Sequence, residues 1–309
     1  MPQISIVTAL YRSSGFLEEF LEKCYNAAAL INCTDFEIVM VNDGSPDDSL
    51  KKALELKKAK YSKVKVVDLS RNFGHHYALL AGINSAKGDH IFLIDCDLEI
   101  SPEVLVTFYE KIKATDCDVV YGYQEERKGK FVEKRLGGMF WKIFNALSDT
   151  RVPASILTER LMNRKYVDAL VQLGDKSLFL AGMFHWAGFI QVGIPVTKLL
   201  RKGQSTYTLK KRIKLVMEAI TTFSGFPLKI LFNLGLVITF FSFMLGCFLI
   251  IRKILYPSNI LTGFTSLSVM LLFSTGLIIF ALGIIGVYID KIYTQTKNRP
   301  TYIIKDIYL

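Results

Sequence analysis

This chain changes solvent partway along its length, and that change limits every fold open to it. Past Pro227 lie two apolar stretches, roughly 230–251 and 267–289, neither containing Asp, Glu, Lys or Arg. Each exceeds the run of about 20 residues that crosses a bilayer core. They lift the hydrophobic fraction to 51% and the mean hydropathy to +0.31. Residues 1–225 read instead as a soluble α/β region, long enough to bury a core of its own. Two core helices of a globular domain would need a polar shell after them, and the remaining tail is too short to build one.

Charge sharpens this picture. The net charge is +10, which points to nucleic acid, an anionic membrane surface or a phosphorylated substrate. Position separates these partners. Lys198, Arg201, Lys202, Lys210, Lys211, Arg212, Lys214 and Lys229 crowd the approach to the first apolar stretch, where anionic headgroups would lie. Nucleic acid is therefore disfavoured. Lysine and arginine also set orientation. The segment between the spans has only Arg252 and Lys253, whereas the tail holds Lys291, Lys297, Arg299 and Lys305. Both termini are expected in the cytoplasm, with a short loop outside. The spans carry no charge that would mark a transport route, so they read as anchors. Gly235, Gly246, Gly276, Gly283 and Gly286 would allow close helix approach. Cys24, Cys33, Cys96, Cys117 and Cys247 are odd in number and lack a C-x-x-C pair, as expected of reduced thiols. No secretory signal pattern opens the sequence.

Short apolar runs alternate with helical patterns along the first half. Strands are expected at Ile4–Thr8, Phe36–Val41, Val64–Leu69, His90–Ile94 and Asp118–Tyr121. Helices are expected near 15–30, 46–58, 75–85 and 102–114. This rhythm predicts a mostly parallel sheet covered on both faces, with ligands beyond the carboxyl ends of its strands. Two basic, apolar-striped segments, 131–148 and 207–226, are expected to be amphipathic helices in the headgroup plane. The resulting division is a domain over 1–206, a juxtamembrane helix over 207–226, two spans within 227–290 (about 229–252 and 266–290) and a cytoplasmic tail over 291–309.

The chemistry-bearing motifs fall at the expected strand ends. Asn42-Asp43-Gly44-Ser45 is a tight turn that can present a carboxylate. Ser70-Arg71-Asn72-Phe73-Gly74-His75-His76 is a turn and helix start suited to an anion. Two adjacent histidines cannot face one point on a helix, which argues against a shared metal. The fourth strand runs into Asp95-Cys96-Asp97-Leu98-Glu99. In an extended segment alternate residues share a side, so Asp95, Asp97 and Glu99 are expected to converge. Hard oxygen ligands of this kind suit Mg²⁺ or Mn²⁺ bound together with substrate phosphates. A P-loop and a G-x-G-x-x-G are both absent from the sequence, which removes the P-loop ATPase and Rossmann dehydrogenase readings.

In this order the motifs resemble the polyprenyl-phosphate glycosyltransferases of glycosyltransferase family 2, relatives of dolichol-phosphate mannose synthase. The likeness rests on Asp43-Gly44-Ser45, Arg71 to His75, Asp95-Cys96-Asp97 with Pro102-Glu103, and Arg160-Leu161-Met162. It continues through Trp186-Ala187-Gly188-Phe189, Phe223 to Pro227, and Tyr288-Ile289 to Pro300. The resemblance implies a glycosyltransferase A-type fold, a nucleotide sugar (UDP-linked by expectation) and a divalent metal. It further implies inverting transfer to undecaprenyl phosphate at the cytoplasmic face of a bacterial inner membrane, in a homo-oligomer, tetrameric by analogy. Ala9, Tyr11, Asp43, Asp95, Cys96, Asp97 and Glu99 would bind the nucleotide sugar. Asp95, Asp97 and Glu99 would hold the metal, and Arg135, Arg201 and Lys202 would meet the acceptor phosphate. Asp95, Asp97, Arg135 and Arg201 are the catalytic candidates.

The sequence also departs from the family. Glu99 stands where Gln is common. Leu157-Thr158-Glu159-Arg160-Leu161 replaces Gly-Asp-Phe-Arg-Leu, so Thr158 takes the place of a reaction-centre carboxylate, with Glu159 expected to point elsewhere. Ala9-Leu10-Tyr11-Arg12-Ser13, Gln204-Ser205-Thr206-Tyr207 and Val287-Tyr288 also differ from the usual pattern. These changes leave open an alternative, a catalytically inactive membrane scaffold or sugar-lipid binding subunit. A processive polysaccharide synthase would show Gln-x-x-Arg-Trp and more spans, and neither is found.

Overall fold

The structure, a computed structural model, describes residues 3–125, 145, 152–153, 155–198, 224–255 and 264–309. Arg135, Arg201 and Lys202 lie outside these residues. So do the two expected amphipathic helices, apart from Asn145 in one and the last three residues of the other.

The apolar runs become strands: β1 (Ile4–Leu10), β2 (Phe36–Asn42), β3 (Val64–Leu69), β4 (His90–Leu93) and β5 (Val119–Tyr123). Three more join them, β6 (Ile156–Asn163), β7 (Gln191–Pro195) and β8 (Ile304–Tyr308). The eight form one sheet in the order β7-β5-β6-β4-β1-β2-β3-β8. Strands β1 to β4 run parallel to one another, as does β5 with β7. Strand β6 is antiparallel between β4 and β5, and β8 is antiparallel against β3. The expected parallel sheet is thus mostly parallel, with two reversed strands.

Helices α1 (Leu17–Leu30), α2 (Ser49–Ala59) and α4 (Val104–Thr115) cover one face. There Phe20, Leu21, Leu105 and Phe108 pack on Ile6, Ile38, Met40 and Phe92. Helices α3 (His75–Ser85), α5 (Arg164–Gln172) and α6 (Leu180–Trp186) cover the other. That face contributes Val7, Val39, Val41, Ile91 and Leu93. Alternate strand residues thus feed opposite layers, and burial on both faces explains why these runs are apolar throughout.

Two long helices follow, α7 (Phe226–Leu255) and α8 (Phe264–Thr296). Among the described residues, Phe273–Thr296 is the segment long and apolar enough to cross a membrane, with mean hydropathy 1.9 and none of its apolar window buried. Nothing lies within 4 Å of a Cβ built on Gly235, Gly276, Gly283 or Gly286, so those faces are open within one chain.

The C-terminal segment, expected as a cytoplasmic tail, is structured. Residues 291–296 continue α8, and Ile304–Tyr308 pair with β3 as a sheet edge. The physical reason is an otherwise unpaired edge: β3 has β2 on one side only, and β8 satisfies its remaining N–H and C=O groups. Lys291 Nζ donates to Ser177 Oγ at 2.8 Å, and Gln295 Oε1 accepts from the Lys176 N–H at 3.1 Å. Tyr288 Oη donates to the Ser224 carbonyl at 2.6 Å. The segment entering α7 and the end of α8 therefore meet beside the sheet.

Candidate functional site

A cavity of about 500 Å³ opens beyond the carboxyl ends of β1 to β4. Its walls include Ala9, Tyr11, Asp43, His75, Asp95, Asp97, Glu99, Thr158 and Lys198. Every candidate within the described residues reaches this cavity, Cys96 included. His75, His76 and Thr158, marked in the sequence by the strand-end turn and by the replaced carboxylate, line it too, as does Lys198, which the sequence marked only by its charge. The histidines carried a usable signal, since they open the helix after a strand-end turn.

Asp43 sits at the end of β2 and is 2% exposed. Its Oδ1 accepts the Phe73 N–H at 2.7 Å and its Oδ2 the Gly74 N–H at 3.0 Å. The carboxylate thus fixes the turn entering α3. Burial raises its pKa against the opposing effect of those two donors. Gly44, at φ +55°, lets this turn approach the other: a Cβ there would lie 2.5 Å from the Asn72 nitrogen. The loop after β1 is tied in the same manner. Asp47 Oδ1 accepts from Ser45 Oγ and Ser49 Oγ at 2.5 and 2.6 Å, and Ser45 Oγ accepts the Arg12 N–H at 2.7 Å. Tyr11 is left 47% exposed at the rim, with the Arg12 guanidinium 5.8 Å from its ring centroid.

The acidic segment is a turn, not an extended strand. Leu98 has φ +58°, which breaks the alternation that would align three carboxylates. Among the described residues no three or more of His, Cys, Asp and Glu gather as a metal cage. Asp95, Asp97 and Glu99 all line the cavity, and Glu99 Oε2 lies 2.8 Å from Lys198 Nζ. The reason for the departure is this left-handed residue, which turns Glu99 toward the segment after β7. Cys96 points away from solvent and donates its thiol to the Ala9 carbonyl at 3.3 Å; burial pushes its pKa to about 12.

The electrostatics centre on Asp95. Burial would raise its pKa, but the His75 imidazole, 3.3 Å from Oδ1, outweighs this and holds the carboxyl below its ordinary value. Burial would equally lower the pKa of His75, yet Asp95 raises it on balance. His76 is turned to the Leu178 carbonyl at 3.4 Å, and burial lowers its pKa to about 4. The two rings diverge as adjacent helical residues must. Thr158 reaches the cavity while Glu159, on the other face of β6, is buried at 3% exposure. Burial, reinforced by nearby Asp95, lifts the Glu159 pKa to about 8.

A divalent cation fits the Asp95–Asp97 pair. Asp95 Oδ1 is buried and meets the His75 imidazole only at 3.3 Å, outside good hydrogen-bond geometry, so a bound cation would compensate its burial more fully. Two carboxylates suit an ion that completes its shell with phosphate oxygens and water.

Comparison with known proteins agrees with this geometry. A mannosyltransferase from Pyrobaculum calidifontis, solved with GDP-Man and Mn²⁺, superposes over 71% of this chain and 63% of its own, with a TM-score of 0.51 at 16% identity. At that identity the likeness establishes the fold, which is of the glycosyltransferase A type. The glycosyltransferase YkcC of Bacillus subtilis, named as uncharacterized, is 35% identical across 99% of this chain and 94% of its own length. A prophage-derived bactoprenol glucosyl transferase of Shigella flexneri is 35% identical across 88% of this chain and 87% of its own. Residues 5–184 match the family described as Glycosyl transferase family 2. With strand-end carboxylates in an A-type sheet and relatives matched along nearly its whole length, the chain belongs to glycosyl transferase family 2.

Proposed function

We propose that this enzyme transfers a sugar from a nucleotide diphosphate sugar, UDP-linked in the first instance, to polyprenyl phosphate at the cytoplasmic face of a membrane. The observation that carries the reading is the shared end of the sheet. The acidic cavity lies beyond the carboxyl ends of β1 to β4, and α8 delivers its polar end to the loop at Gly174–Leu178, against that same end. A helix of 33 residues is about 50 Å long, well beyond a hydrocarbon core of about 30 Å. Its excess reaches the catalytic domain and holds the cavity close to the bilayer, where a lipid phosphate resides. The Shigella flexneri relative, named for glucosyl transfer to bactoprenol, supports the same acceptor class.

In this reading Tyr11 and the Asp43-supported turn receive the nucleoside, and Thr158 lies on the wall facing the sugar. Asp95 and Asp97 would hold Mg²⁺ or Mn²⁺, which when bound neutralises charge on the departing diphosphate. A phosphate monoester has a second pKa near 6, so it is largely ionised at neutral pH. Its attack needs alignment and charge screening more than a general base. Thr158 in place of a carboxylate is compatible with that requirement. Arg135, Arg201 and Lys202 remain acceptor-side candidates by family resemblance. One displacement at the anomeric carbon inverts configuration.

The test uses full-length protein in nanodiscs with Mn²⁺, undecaprenyl phosphate and a panel of nucleotide sugars, read by mass spectrometry. The expected product is a lipid phosphate monoglycoside of inverted configuration that disappears in Asp97→Ala. Lipid binding without turnover of any donor would favour a binding subunit.

A further inference from the structure

We infer that Lys198 is a phosphate-binding residue of this site and that Glu99 is its positioning partner, not a third metal ligand. The inference deepens the donor–acceptor reading above and rests on it. Lys198 follows Pro195 by three residues. Strand β7 runs parallel to β5, and both run antiparallel to β6, which is itself antiparallel to β4. The carboxyl end of β7 is thus at the cavity end of the sheet, and Lys198 reaches the cavity wall.

Charge balance gives Lys198 its role. The described lining holds four carboxylates, on Asp43, Asp95, Asp97 and Glu99, and Lys198 is the one Lys or Arg among those lining residues. A diphosphate and a phosphate monoester brought here meet a surface that repels them unless cations intervene. Glu99 holds the ammonium at 2.8 Å, and both side chains are largely shielded, at 31% exposure for Lys198 and 18% for Glu99. Asp95 adds attraction from further off. An ammonium carries three donors on a flexible stem, so contact with Glu99 does not exclude contact with a phosphate oxygen. Glu99 therefore orients a cation at the cavity wall, and Leu98 in the left-handed region is the turn that directs it there.

The experiment uses the full chain in nanodiscs. UDP and GDP binding with Mn²⁺ is measured by calorimetry, undecaprenyl phosphate binding by lipid titration, and Mn²⁺ affinity by electron paramagnetic resonance. Lys198→Gln is expected to weaken nucleotide or lipid phosphate by about tenfold or more, the scale of a lost hydrogen bond to a charged group. Loss on the nucleotide titration assigns Lys198 to the donor diphosphate, and loss on the lipid titration assigns it to the acceptor. Lys198→Arg should retain most of the affinity. Glu99→Gln is expected to leave Mn²⁺ affinity within about twofold while Asp97→Asn lowers it about tenfold, because only the latter removes a ligand. Unchanged phosphate binding in Lys198→Gln overturns the inference. An equal loss of Mn²⁺ in Glu99→Gln and Asp97→Asn also overturns it. If the unmodified protein binds neither nucleotide nor lipid phosphate, the functional reading itself falls, and this inference with it.

Discussion

Several residues at the site are held in states they would not adopt alone, and this gives them measurable signatures. Glu159 is buried without a cation in direct contact among the described bonds, and its pKa rises to about 8. The folded protein then keeps a proton that the unfolded chain loses near pH 4.3. Folding therefore binds protons between those values, and this group's contribution to stability declines as pH rises from about 4 to 8. Glu159→Gln should flatten that slope and raise the melting temperature most near pH 8, measured by thermal unfolding across pH. A parallel shift at all pH values would contradict the assignment. Gly44 carries a different constraint. A side chain there would meet backbone atoms of Arg71 and Asn72 at 2.6 and 2.5 Å, in a left-handed residue. Gly44→Ala should cost at least about 1 kcal/mol in folding, the scale of the left-handed penalty. It should also loosen nucleotide binding by spreading the two turns, as calorimetry would register.

At the scale of elements, α3 depends on close approach to the sheet. A Cβ on Gly82 would lie 2.4 Å from Val7 Cγ1 and 3.1 Å from Val41 Cγ2. Both valines are fully buried and stiff at χ1. Gly82→Ala should destabilise the protein by about 1–3 kcal/mol through overpacking, despite its higher helix propensity. Denaturant unfolding would reveal the sign, and a stabilised variant would show that α3 can retreat from the sheet. Strand β8 is the second case. Its removal, by ending the chain at Ile303, would leave the outer edge of β3 unpaired and expose Asp68, which is 3% exposed and accepts from Asn42 Nδ2 at 2.7 Å. Hydrogen exchange should quicken across Val64–Leu69 while β1 and β4 keep their protection. Strands β1 to β5 were legible as dense apolar runs because they are largely buried on both faces, whereas the parallel β7, only partly buried over Gln191–Pro195, was not. Nor were strands β6 and β8. Ile156–Asn163 carries Glu159 and Arg160 inside, and Ile304–Tyr308 places charges on an edge, so neither shows the pattern of a covered strand.

For the whole molecule, we propose that α7 and α8 form a two-span hairpin with both termini in the cytoplasm. The hydrogen bond from Tyr288 to Ser224 and the pairing of β8 with β3 hold both polar ends beside one domain, which supports placing the other ends of the two helices on the opposite side. In cells, a cysteine at Ser258 should react with an impermeant maleimide from outside, in a background lacking Cys247. One at Lys297 should not. Labelling of both from one side would refute the hairpin. The long apolar helices, the acidic strand ends and the layered sheet follow from local pattern: apolar length, turn chemistry and period are properties of neighbouring residues. The partners of Glu99 and the place of β8 are not local. Glu99 and Lys198 are separated by 99 residues, and β8 by more than two hundred from β3. Reading the acidic segment as extended placed Glu99 with Asp95 and Asp97, since alternate residues then align. One left-handed residue turns it to Lys198, a lysine from another strand end on the wall of the same cavity. Such pairings arise because a sheet brings distant strand ends to one edge, where charge and geometry select among neighbours that the linear order does not supply.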